Sequence, residues 1–180
     1  MKNLLIVSHP HLAMSHIHRP LLDELAELPD SRVHHLESMY PDGEIDLLAE
    51  QEACEHAQRL VWQFPLYWHS CPALLKRWQD DVLCPGWAYG RRQQLAGKTL
   101  WLVVSMATAS RQYGTLDAAA LAAILRPFQL TAEGLGMRWQ PPLIMDIQPD
   151  TPQGDQAGAQ LAQLQGFIAR YREGLTAAWL

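Results

Sequence analysis

At 180 residues the chain is sized for one domain with one sizeable core. Its 48% hydrophobic and 18% charged residues are ordinary globular composition, and a net charge of −5 with no basic cluster denser than Arg91-Arg92 argues against nucleic acid as a partner. Cys54, Cys71 and Cys84 are odd in number and lack CxxC spacing, which fits a reducing compartment. No apolar stretch approaches the roughly 20 residues of a membrane span, and the run after Met1-Lys2-Asn3 is too short for a signal-peptide core, so the cytoplasm is the expected location.

Leu4-Leu5-Ile6-Val7 is a continuous apolar run, the mark of a strand buried on both faces. A loop follows from Ser8-His9-Pro10 to Ser15, a candidate N-cap for a helix to Leu28 with Leu21, Leu22, Leu25 and Leu28 on one face. Pro20 conflicts with a start at Ser15 and points to a later one. Val33 to Leu36 reads as a second strand, Pro41-Asp42-Gly43 as a turn, and Asp46 to Arg59 as a helix. Leu60 to Phe64 is a third strand, ended by Pro65, and Pro72 to Leu83 is a helix whose first-turn φ the proline presets.

A loop spans Gly86 to Gly97, and Thr99 to Val104 is the fourth strand, ending at Ser105. After a polar loop from Ala107 to Thr115, Leu116 to Leu130 reads as a helix that Pro127 bends or interrupts. Leu143 to Ile147 is the fifth strand, and a terminal helix runs from Ala159 to Leu175. Five strands alternating with helices, with no repeat or linker, give one α/β domain, a doubly wound parallel sheet with helices on both faces.

Gln63-Phe64-Pro65-Leu66-Tyr67-Trp68-His69-Ser70-Cys71-Pro72 places three aromatic-type side chains on a short, proline-bounded loop at a strand's carboxyl end. Open α/β sheets bind planar ligands there, but an aromatic plug on the sheet end is an equal account of the residues alone. Residues 8 to 18 contain no glycine, which argues against a Gly-x-Gly-x-x-Gly pyrophosphate loop. Ser15 and the amides of His16, Ile17 and His18 could instead meet a phosphate at a helix start; a ligand-free N-cap is as good an account. Gly97-Lys98-Thr99 resembles a P-loop tail, yet position 92 is Arg and a strand follows Thr99, so a nucleoside triphosphatase is not expected. His9, His11, His16 and His18 crowd one loop without metal-ligand spacing, so no metal is expected. Cys71 is read as a small buried core residue rather than a reactive thiol.

The block Gln63 to Trp68, with Pro72-Ala73-Leu74-Leu75-Lys76-Arg77-Trp78 and Gly86-Trp87-Ala88-Tyr89-Gly90, closely resembles the NAD(P)H:quinone oxidoreductase family. Leu95-Ala96-Gly97-Lys98 and Leu125-Arg126-Pro127-Phe128 resemble its bacterial branch, the general-stress quinone reductases and the ancillary subunits of glutathione-gated potassium-efflux systems. Pro41-Asp42-Gly43 and Gly136-Met137-Arg138 also fit, and the resemblance covers about residues 3 to 145.

The resemblance implies a flavodoxin-like fold with strand order 2-1-3-4-5, a homodimer, and a non-covalent flavin, FMN in preference to FAD. It implies that Pro65, Leu66, Tyr67, Trp68 and His69 line the flavin ring, and that His9, Ser15, Ile17 and His18 lie at the phosphate, with His18 where the family usually has asparagine. Thr108, Ala109 and Ser110 correspond to a Thr-Gly-Gly turn on the other side of the ring, here without its glycines. Tyr89, Tyr113 and Trp68 would shape the substrate position, with Tyr89 reaching it from a partner subunit. The implied activity is hydride transfer from NAD(P)H through the flavin to a quinone, with His69 or Tyr113 as candidate proton donor. Two other readings stay open: an ancillary subunit docked on a potassium-efflux transporter at the inner face of the cell membrane, and a flavodoxin-type electron carrier. Without the two glycines, a flavin-free relative is a third.

Overall fold

The structure, a computed structural model, describes residues 2–25, 28–107, 117–147 and 155–177. Five parallel strands form one sheet in the order β2-β1-β3-β4-β5: β1 Asn3–Val7, β2 Ser31–His35, β3 Arg59–Pro65, β4 Thr99–Ala107 and β5 Arg138–Ile147. The helices are α1 His18–Leu25, α2 Leu36–Met39, α3 Leu47–His56, α4 Ala73–Val82, α5 Ala118–Gly134 and α6 Asp155–Thr176. The expected doubly wound fold and strand order are both found.

Period-2 alternation along the buried strands divides the core between the two faces. Leu100, Leu102 and Val104 of β4 pack with Leu75 and Trp78 of α4 and Phe128 of α5. Trp101 and Val103 face the other way, toward Leu21 of α1 and Phe167 and Tyr171 of α6. On the first face Trp62 meets Trp78 and Phe128 edge-on, with ring centroids 6.1 and 6.2 Å apart.

Several boundaries differ from the expectation for identifiable reasons. The chain makes a 3-10 turn over Leu12–Met14 before α1 begins at His18, three residues past Ser15. Pro20 is then the third helical residue, where a backbone N–H has no intrahelical partner to lose. Leu36 leaves the strand and opens the single turn α2, burying its side chain completely. Pro65 stays in β3, in register with Ser105, because the next amide, Leu66 N–H, continues the ladder to the Ser105 carbonyl at 2.7 Å. Pro72 is the N-cap of α4 rather than its first residue.

α5 runs unbroken through Pro127, with Leu125, Phe128 and Ala132 buried on both sides of it. That tertiary packing outweighs the lost hydrogen bond. β5 starts five residues earlier than expected and includes Pro141-Pro142, tolerable because it is an edge strand and its register shifts opposite Trp101 and Val103.

Glu50 of α3 is fully buried, and its carboxylate accepts from Tyr40 Oη at 2.7 Å and Trp78 Nε1 at 2.9 Å, and pairs with His34 Nδ1 at 2.8 Å. Burial pushes this carboxyl upward, but the three partners outweigh it and hold it below the usual glutamate range. The network ties α3 to β2, α4 and the chain after α2. It lies on the face away from α1.

Candidate functional site

The carboxyl ends of β1, β3 and β4 bring the first loop, the aromatic loop and Ser105 together. Tyr67 and Ser70 exchange backbone hydrogen bonds at 2.9 Å in both directions, closing a two-residue turn on Trp68 and His69. Both central residues have left-handed backbone, φ 50° at Trp68 and 61° at His69, a type I′ geometry normally given to Asn-Gly. Holding two side chains there costs roughly 1–2 kcal/mol each. Such strain gathers where a turn presents groups to a ligand. Here it presents Trp68, 88% exposed, and Tyr67, 40% exposed, at the strand end.

The first loop is anchored from β2's side. Glu37 accepts the Ser8 hydroxyl at 2.6 Å and the His9 amide at 3.0 Å, and His35 Nε2 lies 3.2 Å from it. Burial raises the Glu37 pKa, but the hydrogen bonds from His35, Ser8 and His9 win and leave it lowered. His9 Nδ1 accepts the His11 amide at 3.2 Å, so a neutral His9 carries its proton on Nε2. Burial pulls its pKa down, which favours that neutral form. Its ring stands 5.1 Å from the His18 ring and 6.4 Å, edge-on, from Tyr67, joining the two loops. Ser15 Oγ receives the amides of His18 at 3.0 Å and Ile17 at 3.4 Å at the N-terminal end of α1. The Ile17 side chain is buried in the core on that face.

The His18 ring turns inward, 1% exposed, and supports the site from beneath rather than lining it. Its Nε2 lies 2.7 Å from Ser105 Oγ and its Nδ1 lies 3.2 Å from Gln63 Nε2. Gln63 Oε1 in turn accepts the Tyr171 hydroxyl at 2.9 Å. Burial, with a smaller push from His9, takes the His18 pKa down to about 3. Four elements, α6, β3, α1 and β4, therefore meet in one buried polar chain under the aromatic loop. Sequence reasoning did not assign roles to Gln63, Ser105 or Tyr171. The available signal was a glutamine inside a strand otherwise apolar from Leu60 to Phe64, since a buried amide needs partners.

His69 and Tyr89 line a groove of about 420 Å³ between α4 and α5, with Cys71, Gln79, Phe128 and Leu135. Tyr89 is held by the bond from Gly86 N to the Tyr89 carbonyl at 2.8 Å, in a turn with φ 85° at Gly86 and Gly90. The Cys71 thiol is buried there and burial pushes its pKa up, as a core residue's would be. His11 and His16 are exposed, and among the described residues no three His, Cys, Asp or Glu side chains group as a metal site. Thr108, Ala109, Ser110 and Tyr113 lie outside the described residues. No helix among the described residues is long and apolar enough to cross a membrane.

Residues 1–165 match a protein family described as having a flavodoxin-like fold. The chain is 42% identical over 144 residues to an uncharacterized NAD(P)H oxidoreductase, YrkL, of Bacillus subtilis, spanning 78% of this chain and 83% of that one. It is 38% identical over 143 residues to KefF of Salmonella typhi, the ancillary protein of a glutathione-regulated potassium-efflux system, spanning 79% and 81%. Among solved structures it superposes on general stress protein 14 of Treponema denticola, in complex with FMN, with a TM-score of 0.85 and 36% identity over 97% of this chain and 98% of that one. An NADPH-quinone reductase from P. pentosaceus superposes with a TM-score of 0.78 and 27% identity over 99% and 100%. The chain belongs to the flavodoxin-like family that includes these NAD(P)H oxidoreductases and potassium-efflux ancillary proteins.

Proposed function

We propose that this protein is a flavin-dependent NAD(P)H:quinone oxidoreductase that uses FMN. The observation that carries the reading is the strained turn at Trp68-His69, which projects an exposed indole and phenol beside a set of neutral donors at the strand ends. That donor set fits the group. Ser15 Oγ accepts the Ile17 and His18 amides and keeps its own proton for a phosphate at the start of α1, where the helix dipole favours an anion, and His9 offers a neutral Nε2–H. Tyr67 and Trp68 suit a flat aromatic ring, with about 0.5–1.5 kcal/mol for each good aromatic pair beyond the area buried. Bound there, FMN supplies the two-electron chemistry that takes hydride from a reduced nicotinamide and delivers it to a quinone.

The protein's own residues orient the reactants and keep water out. Trp68 and Tyr67 cover the stacking position, and His69, on the same turn, is the candidate to donate a proton to a quinone oxygen. Tyr113 is the alternative donor, and Thr108, Ala109 and Ser110 are proposed to close the far side. A homodimer would place Tyr89 of one subunit against the substrate position of the other. The general stress protein 14 structure with FMN and the NADPH-quinone reductase structure support the cofactor and the substrate class. Steady-state rates at varied NADPH and quinone test the reading: parallel double-reciprocal lines support alternating use of one site. No quinone-dependent NADPH or NADH oxidation by the FMN-loaded protein refutes it.

A second reading, an ancillary subunit of a potassium-efflux system, is favoured by the 38% identity to KefF. It predicts co-purification with such a transporter, and ion flux that responds to this protein even when Trp68→Ala has disabled turnover.

A further inference from the structure

We propose that His18 is a positioning residue: the Tyr171–Gln63 pair fixes it as the Nε2–H tautomer, and this commits the Ser105 hydroxyl to donate outward, to an oxygen of the bound flavin. The direction of every bond in the chain follows from its end. Tyr171 is completely buried, and among the described residues Gln63 is the hydrogen-bond partner of its hydroxyl. Its proton must go to Gln63 Oε1, since the flipped amide would leave that proton with no acceptor in a dry site. Gln63 then turns its NH₂ to His18 Nδ1, which can only accept. The remaining ring proton lies on Nε2 and is donated to Ser105 Oγ at 2.7 Å.

A serine hydroxyl that accepts from a histidine has its own proton free for another partner. Ser105 is 5% exposed, two residues before the end of β4, and its carbonyl holds the Leu66 amide at the start of the aromatic loop. The outward donor is therefore set from three hydrogen bonds away by a buried tyrosine on α6. A ligand oxygen in this place meets a donor that is already oriented, so it gains a hydrogen bond without paying to turn the hydroxyl. Both ring nitrogens of His18 are engaged, which is why the ring itself is not available to a phosphate.

This inference rests on the flavin reading for the identity of the acceptor, but the tautomer can be read without it. The test combines ¹⁵N-imidazole NMR of the apoprotein with FMN dissociation constants for the wild type, Tyr171→Phe, Ser105→Ala and the double variant. The wild type is expected to show His18 as Nε2–H alone. Tyr171→Phe, which removes the proton that orients Gln63, is expected to show both tautomers. Ser105→Ala should weaken FMN binding about threefold to tenfold, the range for one neutral hydrogen bond. Tyr171→Phe should weaken it less, and the double variant should match Ser105→Ala, because both act through one donor. An Nδ1–H wild type, unchanged FMN affinity in Ser105→Ala, or strictly additive effects would overturn the proposal. If the wild type binds no flavin, the functional reading and the flavin acceptor fall together, while the NMR arm still decides the tautomer.

Discussion

Tyr67 and Ser70 are joined by two backbone hydrogen bonds of 2.9 Å, and the two residues between them, Trp68 and His69, are both held in left-handed backbone. Neither residue is a glycine, so both carry the strain of a left-handed side chain. His69→Gly should therefore stabilise the apoprotein by about 1 kcal/mol, roughly 2–4 °C in melting temperature, because glycine takes positive φ freely. If His69 donates the proton, the same variant should lose quinone turnover. A thermal melt and a steady-state assay on one preparation check both halves.

The buried His18 makes stability depend on pH above the carboxylate range. Its folded pKa is about 3 against an ordinary 6.5, so between those values the unfolded chain binds a proton that the folded chain refuses. Stability is thus full above pH 6.5 and falls by about 1.4 kcal/mol for each pH unit below it. His9, also lowered by burial, adds in the same direction. Urea unfolding at pH 7.5, 6.5 and 5.5 should show this slope, and His18→Asn should flatten it.

Glu50 is the single acceptor on which Tyr40 Oη and Trp78 Nε1 converge, and it also holds His34. Removing it strands buried polar groups, so Glu50→Ala should cost about 3–5 kcal/mol. Its depressed pKa means that its contribution is full above the ordinary glutamate value of about 4.5 and is lost as pH falls through the lower folded value. Chemical denaturation of the variant against the wild type at pH 7 measures the first effect, and an acid series on the wild type the second.

Gly174 of α6 lies against the Trp101 ring so closely that a Cβ added there would fall 2.3 Å from Trp101 Cη2. Trp101 is fully packed and its Nε1 is tied to the Pro141 carbonyl at 3.0 Å, so the ring has little room to yield. Gly174→Ala should cost about 1–3 kcal/mol despite alanine's better helix propensity. Equilibrium unfolding gives the value, and Gly166→Ala, with nothing within 4 Å of an added Cβ, is the control expected not to destabilise.

The fold was legible because its signals were local. Leu4-Leu5-Ile6-Val7 reads directly as a strand buried on both faces and Leu60 to Phe64 as a strand, and the structure has both, each fully buried. The aromatic loop was legible as a sheet-end feature, framed by Pro65 and Pro72, though not its left-handed turn, since Trp-His carries none of the usual Asn-Gly signature. The interruption expected at Pro127 is absent because long-range packing overrode a local penalty, and β5 begins before Pro141-Pro142 because an edge strand tolerates them. The chain of Tyr171, Gln63, His18 and Ser105 was illegible in principle, as its three bonds join residues 45, 87 and 108 positions apart in sequence. His18 was read as a phosphate contact at the start of a helix, whereas the partners of its ring lie on other elements that only the folded sheet brings together.

We propose that the strand-end site binds a flavin and uses it for two-electron transfer. Its most direct test is the absorbance spectrum of the purified protein, reconstituted with FMN and titrated anaerobically with NADPH. A bound flavin band should bleach in one two-electron step and return when a quinone is added. A colourless protein that takes up neither FMN nor FAD would contradict it.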